Sequence, residues 1–396
     1  MMIHTDCRHY RANVPCSFHK RTGRSCADCS EFAPVDERIL IVKLDAMGDV
    51  LRTTACLEPL KRLHPRSHVT WITRANAVPL LAGNPFIDRI LAVESNYLEF
   101  VHAEEFDLAL GPDADPLSAA IMRLAHAREK RGFVSDGRGG VAPTNAAAES
   151  WWRMGVNDTL KRQNRRTYGE WLYDICEVPP PIARPWFHPT DAALRAAARV
   201  FGAAGAGARV CFNTGAGTRW TEKRWKLRHY DELAHLVRDR WPGAAIALVG
   251  GPGEKAFNAA LLASNAGFID AGTDNSIDGF AALIACADWC LTSDSLGYHM
   301  ACAVETPAVC LVGPTSPWEL DCYGTNRVLH AGLECIACYL ATCPLTTTCM
   351  DTLTARHVWT AIDGVTACAP GRGASPDRPV AAAPAFEQHR LSRVGR

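Results

Sequence analysis

The sequence lacks the features that several large function classes require. Its 396 residues contain no apolar run of about 18 residues, which excludes a membrane-spanning helix. The opening stretch, Met1 to Asp6 and then Cys7, has no apolar core of the signal-peptide kind, so the chain is expected to stay in the cytoplasm. Neither charge sign dominates. Forty-two Lys and Arg face 42 Asp and Glu, which leaves no general electrostatic grip on nucleic acid. The phosphate loop G-x-x-x-x-G-K-[ST], the zinc motif H-E-x-x-H and the nucleophile elbow G-x-S-x-G are all missing. A strict G-x-G-x-x-G is missing too, which weakens a dehydrogenase reading. No repeat of solenoid spacing occurs. The remaining profile, 48% hydrophobic and 21% charged, is that of a globular chain long enough for two or three domains.

Cysteine, by contrast, is abundant: 17 residues, a high number for a reducing compartment. Cys286, Cys290, Cys302 and Cys310 sit in apolar runs, where cysteine packs as a small hydrophobe. Two clusters stand apart. Cys7, Cys16, Cys26 and Cys29 lie in an N-terminal arm, residues 1–36, that has few large apolar side chains. Cys335, Cys338, Cys343 and Cys349 lie close together near the end. Each cluster contains a C-x2-C pair, which lets two thiolates reach one tetrahedral ion from a tight turn. Both are candidate sites for structural zinc or iron. The alternatives are a loose arm with unligated thiols and a packed, metal-free loop.

From Arg38 the texture becomes strand, turn, helix. Ile39–Val42 is a short β-branched run, Asp45–Asp49 a Gly-containing turn, and Val50–Leu63 a helical stretch. Val69–Ile72, Ile90–Val93, Asp107–Leu110 and Lys130–Val134 read as further strands, with a helix over Pro116–Ala127. Pro179–Pro181 and Arg184-Pro185 read as a linker, after which the alternation restarts at Val210–Phe212. Strand-like runs then end in Gly215–Thr218, Gly250–Glu254, Thr292–Ser295 and Gly313–Thr315. The expected fold class is α/β: two doubly wound, Rossmann-like domains in tandem with a ligand cleft between them. The boundaries fall at 37–180 and 181–366, and residues 367–396 read as a disordered tail.

Ligands of open α/β sheets bind at the carboxyl edge of the strands, so the turns there are the candidate site. Asp49 serves either as a helix N-cap or as a general base taking a proton from an attacking hydroxyl. In the segment from Thr218 to Trp225, backbone amides attract phosphate while Arg219 and Lys223 supply mobile positive charge. Glu254 is placed to accept bonds from ribose hydroxyls, or to favour the first turn of its helix. Asp294, Ser295 and His299 open another helix, as caps and a core histidine or as ligands. Their shared placement at strand ends points to a nucleotide-diphosphate site.

Together these segments resemble the heptosyltransferase family, the inverting glycosyltransferases of family 9. The run Ile39–Thr54 resembles the family's N-terminal motif, and Gly215–Thr218, Lys223–Trp225 and Tyr230–Ala234 its donor-phosphate segment. Gly250–Glu254, Thr292–Ser295 with His299, Gly313–Thr315 and the Cys343 to Met350 run follow in the family's order. The resemblance implies a GT-B fold, with an acceptor domain first and a donor domain second. It implies metal-independent, inverting transfer of a heptose from an ADP-sugar to a hydroxyl. Asp49 is then the base, Thr218 and Lys223 hold the diphosphate, and Glu254 holds the nucleoside. Asp294, Ser295 and His299 hold sugar and phosphates. Gly48, Gly215, Gly217, Arg219, Trp225 and Gly250 complete the expected donor side. One departure is visible: the family's Gly follows the Asp-Ser/Thr pair directly, whereas here Leu296 precedes Gly297.

The implied acceptor is an anionic glycolipid or glycan of the lipopolysaccharide inner core, reached by peripheral contact with the inner membrane. Lys61, Arg62, Arg66, Lys130, Arg131, Lys161, Arg162, Arg165 and Arg166 are the expected basic contacts, or else simply a solvated face. Another nucleotide sugar, a protein acceptor, and a non-catalytic nucleotide-binding module are the alternatives.

Overall fold

Strands covered on both faces read as unbroken apolar runs, and Ile39, Leu40, Ile41 and Val42 are each 1% exposed or less. They belong to β1 (Glu37–Val42), the central strand of the first sheet. The computed structural model describes residues 2–202, 207–217, 221–264, 267–366 and 389–390. It divides into two compact units: Met1–Arg153 with Glu170–Ala183, and Met154–Gly169 with Arg184–Arg396.

In the first unit, β2 (Ser67–Thr73), β3 (Arg89–Ala92), β4 (Glu105–Gly111), β5 (His126–Ser135) and β6 (Val141–Pro143) join β1 in the order β3-β2-β1-β4-β5-β6. All pairings are parallel except β5 with β6. Leu40, Val42, Ile72, Phe106 and Ala109 form one side of its core, with Ile121 and Met122 of the helix Pro116–Leu124. The sequence suggests one helix over Val50–Leu63. The chain instead makes Met47–Thr53, a 3-10 turn Thr54–Cys56, and Leu57–Leu63. The Thr53 and Thr54 hydroxyls donate to the carbonyls of Asp49 and Leu51, at 2.6 Å each, where the helical ladder is interrupted.

The second unit has β7 (Arg209–Asn213), β8 (Ala245–Val249), β9 (Ile269–Asp270), β10 (Trp289–Ser293), β11 (Ala308–Val312), β12 (Arg327–His330) and β13 (His389–Arg390). Their order is β13-β12-β11-β10-β7-β8-β9, all parallel. Phe212, Trp225, Tyr230, Trp289 and Met350 are buried together in its core. Residues 389–390 thus pair as a short edge strand within the stretch whose composition reads as a disordered tail. The rest of that tail, 367–388 and 391–396, lies outside the described residues.

Each sheet is an open, doubly wound layer of the Rossmann type. In the first, the strand order reverses between β1 and β4; in the second, between β7 and β10. Such switch points leave a crevice at the strands' carboxyl ends.

Candidate active site

At the switch point of the first unit, the residue after β1 meets the loop after β4. Lys43 is buried, and its Nζ lies 3.1 Å from Asp113 Oδ2. Burial pushes the Asp113 carboxyl above its usual range even though Lys43 opposes the shift; Asp49 and Asp115 add to it. Asp49 is therefore part of an acidic group at this edge. It stands at the third position of the helix Met47–Thr53, with Gly48 beside it, and is not the N-cap, which is Ala46. Its Oδ2 accepts from the Ala46 amide at 3.3 Å, and its Oδ1 lies 2.7 Å from an Arg52 nitrogen. About a third of the side chain remains exposed (34%), so the carboxylate is held in place yet reachable.

The second switch point is organised by Asn213, the last residue of β7. Its Nδ2 donates to Thr292 Oγ1 at 2.9 Å, Ser295 Oγ at 3.2 Å and the Gly215 carbonyl at 3.4 Å. Ser293 Oγ donates to the same carbonyl at 3.0 Å. One amide thus ties the glycine turn after β7 to the strand end of β10. Gly297 belongs to this arrangement. A Cβ there would lie 2.2 Å from Asn213 Nδ2 and 2.9 Å from Thr292 Oγ1. The glycine displaced by Leu296 therefore keeps a steric purpose: it lets the helix Leu296–Ala303 start against this network.

Above the network lies a buried ion pair. Lys223 Nζ donates to Asp294 Oδ2 at 2.7 Å and to the Asp294 carbonyl at 3.0 Å. Thr315 Oγ1 donates to the same Oδ2 at 2.6 Å. Burial works against the charge on Asp294, but Lys223 and His299 outweigh it and hold the carboxyl well below the usual carboxylate range. Lys223 is consequently anchored and is not the mobile charge expected of it. Glu254, also buried, accepts from Arg224 at 2.9 Å through Oε1 and from the Gly251 amide at 3.0 Å through Oε2. At Gly250 a Cβ would lie 2.9 Å from Glu254 Cβ. Gly217, at φ 73°, lies in the left-handed region that glycine tolerates best.

The second unit therefore brings together Gly215, Lys223, Gly250, Glu254, Asp294, Ser295 and His299 at one sheet edge. Trp225 does not join them. It is 1% exposed, packs on His229 and Tyr230 in the core, and donates its Nε1–H to the Leu353 carbonyl. Thr218 and Arg219 lie outside the described residues. Sequence reasoning missed Asn213 and Asp113 as parts of these edges, and gave Lys43, Thr292 and Arg224 no role of their own within the segments that contain them. The signal for Asn213 was a polar residue closing an apolar strand two positions before Gly215-Ala216-Gly217.

The basic residues expected to meet an anionic acceptor are mostly occupied. Lys61 pairs with Asp88 at 3.1 Å, Arg62 with Glu58 at 2.8 Å, Arg131 with Glu129 at 2.6 Å, and Arg66 with Asp36. Lys130 Nζ donates to the Arg123 carbonyl. Lys161 and Arg165 lie over the rings of Tyr339 and Trp318, within the second unit.

Cys335, Cys338, Cys343 and Cys349 line one apolar cavity together with Glu222, Gly313 and Pro314. Burial pushes the Cys349 thiol up to about 12, and Cys335 also lies above its ordinary value for the same reason. Among the described residues, no group of three or more His, Cys, Asp or Glu side chains stands arranged to hold a metal ion. Among the same residues, no helix is long and apolar enough to cross a membrane.

Two Rossmann-like sheets, each with polar groups gathered at its switch point, are the architecture of the α/β GT-B fold. The chain belongs to glycosyltransferase family 9 (heptosyltransferase), whose sequence model matches residues 98–348, and it is accordingly a glycosyltransferase. It is similar to lipopolysaccharide heptosyltransferase 1 of Escherichia coli K12, 24% identical over 322 residues that span 74% of this chain and 92% of the relative. Its fold is similar to a family 9 glycosyltransferase from Veillonella parvula (TM-score 0.68, 18% identity), covering 84% of this chain and 98% of that one. It is also similar to the ADP-heptose lipopolysaccharide heptosyltransferase II of E. coli (TM-score 0.62, 19% identity), covering 83% and 98%.

Proposed function

We propose that the protein transfers a heptose, with inversion, from an ADP-activated donor to a hydroxyl of an anionic lipopolysaccharide inner-core or related glycan acceptor. The observation that carries this reading is the buried cluster of Lys223, Asp294 and Thr315 beside the glycine turn. It fixes an ammonium, two of whose three N–H groups are held by Asp294, where a nucleoside diphosphate would leave. Residues 181–366 are then the donor-binding part and residues 37–180 the acceptor-binding part.

The chemistry follows from the groups available. Breaking the glycosidic bond to ADP develops negative charge on the diphosphate, and preorganised donors stabilise that charge without reorganising during the reaction. Lys223, the amides of Gly215 and Gly217, and Thr218 have that role. Glu254 accepts from the nucleoside, while Asp294, Ser295 and His299 orient the sugar and the phosphates. Asp49 takes the proton of the acceptor hydroxyl as that oxygen attacks the anomeric carbon from the face opposite ADP. In this reading the transfer uses no cofactor, and structural zinc or iron at a cysteine cluster stays outside it. The acceptor's lipid would bring the protein to the inner membrane as a peripheral partner.

Calorimetry of ADP, UDP and GDP against the protein, with Lys223→Ala beside it, tests the reading. Selective ADP binding that weakens in the variant supports it. Preference for UDP or GDP rejects ADP-heptose as donor, and absence of nucleotide binding rejects the donor site itself.

A further inference from the structure

The N-terminal arm has no hydrophobic core. Between residues 2 and 36 no side chain is buried, and neither the helix Ser17–Thr22 nor the 3-10 turn Cys26–Asp28 covers one. Even so, the arm has defined turns. Its base is an antiparallel stem: Arg8 N donates to the Ala33 carbonyl and Val35 N to the Asp6 carbonyl, both at 2.8 Å. A segment of this size without apolar burial needs a cross-link or an ion to hold its shape. All four of its cysteines are free thiols.

Three of these thiols share a cavity with an imidazole. Cys16, His19, Cys26 and Cys29 line a recess of about 50 Å³. A wider recess of about 420 Å³ adds Cys7 and the imidazoles of His4 and His9 to the same four. Cys16 caps the short helix, its Sγ accepting from the His19 amide at 3.5 Å. His19 Nδ1 lies 2.9 Å from the Arg24 carbonyl, an oxygen that can only accept. That bond places the ring proton on Nδ1 and leaves the Nε2 lone pair available, the arrangement that metal-binding histidines adopt. The spacing Cys16-x2-His19-x6-Cys26-x2-Cys29 sets two close pairs on two adjacent turns.

We infer that the arm is a zinc module ligated by Cys16, His19, Cys26 and Cys29. Three thiolates and one imidazole are a closed tetrahedral set of the structural type, and soft thiolates favour zinc over hard cations. Three thiolates around a divalent ion leave one net negative charge, and Lys20, Arg21 and Arg24 stand in the same short stretch to offset it. The four side chains are not yet converged on one point, so the ion draws them together across the recess as the arm closes. Cys7 sits on the stem and lines only the wider recess, and the set leaves it out.

The test uses the full chain, purified without chelator and analysed for metal by mass spectrometry. The expected content is about one zinc per chain attributable to the arm. It is lost in Cys26→Ser and in His19→Ala, and kept in Cys7→Ser and in Cys335→Ser/Cys338→Ser. Cobalt exchanged into the wild-type chain should show the visible absorption of a tetrahedral thiolate site, and chelation should open trypsin cleavage at Arg21 and Arg24. Absence of zinc from the wild type even after titration with the free ion would overturn the inference. So would zinc that leaves with Cys7 or with the C-terminal pair while surviving loss of His19. Nucleotide binding serves as the folding control for every variant, because the arm and the donor loops lie in different units.

Discussion

Lys223 and Asp294 meet twice: the ammonium lies 2.7 Å from Oδ2 and 3.0 Å from the backbone carbonyl of the same residue. One side chain therefore fixes both the charge and the main chain at the end of β10. Removing Lys223 leaves a buried carboxylate with only the Thr315 hydroxyl and the nearby His299 to oppose its desolvation.

Lys223→Ala is thus expected to lose stability as well as ADP affinity. Breaking a buried pair from one side typically costs about 3–5 kcal/mol. The double variant Lys223→Ala/Asp294→Asn should recover much of the stability and none of the affinity. Urea denaturation and calorimetry on the same samples separate the two effects. An affinity restored by the second substitution would argue against a role for the ammonium in binding.

The same pair sets a pH dependence. The Asp294 carboxyl is held below its unfolded value, which lies near about 3.9. Its stabilising contribution is complete above that unfolded value and fades as pH falls through the lower folded one. The stability difference between wild type and Asp294→Asn should therefore stay flat from pH 8 to about 5 and shrink below about 4. A difference that changed across neutral pH would implicate another group.

Asp49→Asn keeps the size of the side chain and removes its basicity. Transfer should fall by about 10²–10⁴, the usual worth of a general base, while ADP binding is unchanged. Turnover at the wild-type rate would remove Asp49 from the mechanism.

Gly297→Ala forces a methyl into Asn213 Nδ2 and Thr292 Oγ1. Asn213 cannot swing aside cheaply, because the two N–H groups of its Nδ2 are shared among three acceptors. A loss of about 1–3 kcal/mol is expected in chemical denaturation, as for other overpacked sites. An unchanged midpoint would show that the network yields.

Trp225→Phe separates core from ligand. The variant leaves the Leu353 carbonyl without its indole donor, which should cost about 1–3 kcal/mol, and ADP affinity should stay as it was. A drop in affinity at unchanged stability would return Trp225 to the donor side.

The sheets were legible in the sequence because parallel strands are apolar on both faces. Ile39–Val42 and Ala308–Val312 can hardly be anything else once glycine turns follow them. The edge residues Asp49, Glu254 and Asp294 were legible because they lie in strand-end turns, and Lys223 because it follows one within six positions. Pairings across the sheet were not legible. Nothing in local sequence links Lys43 to Asp113, 70 positions away, or Asn213 to Thr292 and Ser295; those distances are set by strand order. Trp225 misled for the same reason. Its place in a segment resembling a donor-phosphate motif put it on the donor side, yet the indole turns inward against Tyr230. The basic residues of the first half carried a charge count without their partners, and Asp88, Glu58 and Glu129 take up much of that charge.

The arm's stem has one more consequence. Asp6–Arg8 and Ala33–Val35 lie side by side, so the chain leaves and re-enters at one place. Arg8 fastens that place to Asp88 and to the Ser67 carbonyl, at the starts of β3 and β2. Lys43 and Asp113 follow the ends of β1 and β4, on the opposite rim of the same sheet. Residues 9–32 are in effect a handle on the far side of the layer. A tether, a fusion or a solid support attached there would leave the rim of Lys43 and Asp113 open, and the loop could be exchanged for a short turn without shifting the register of β1.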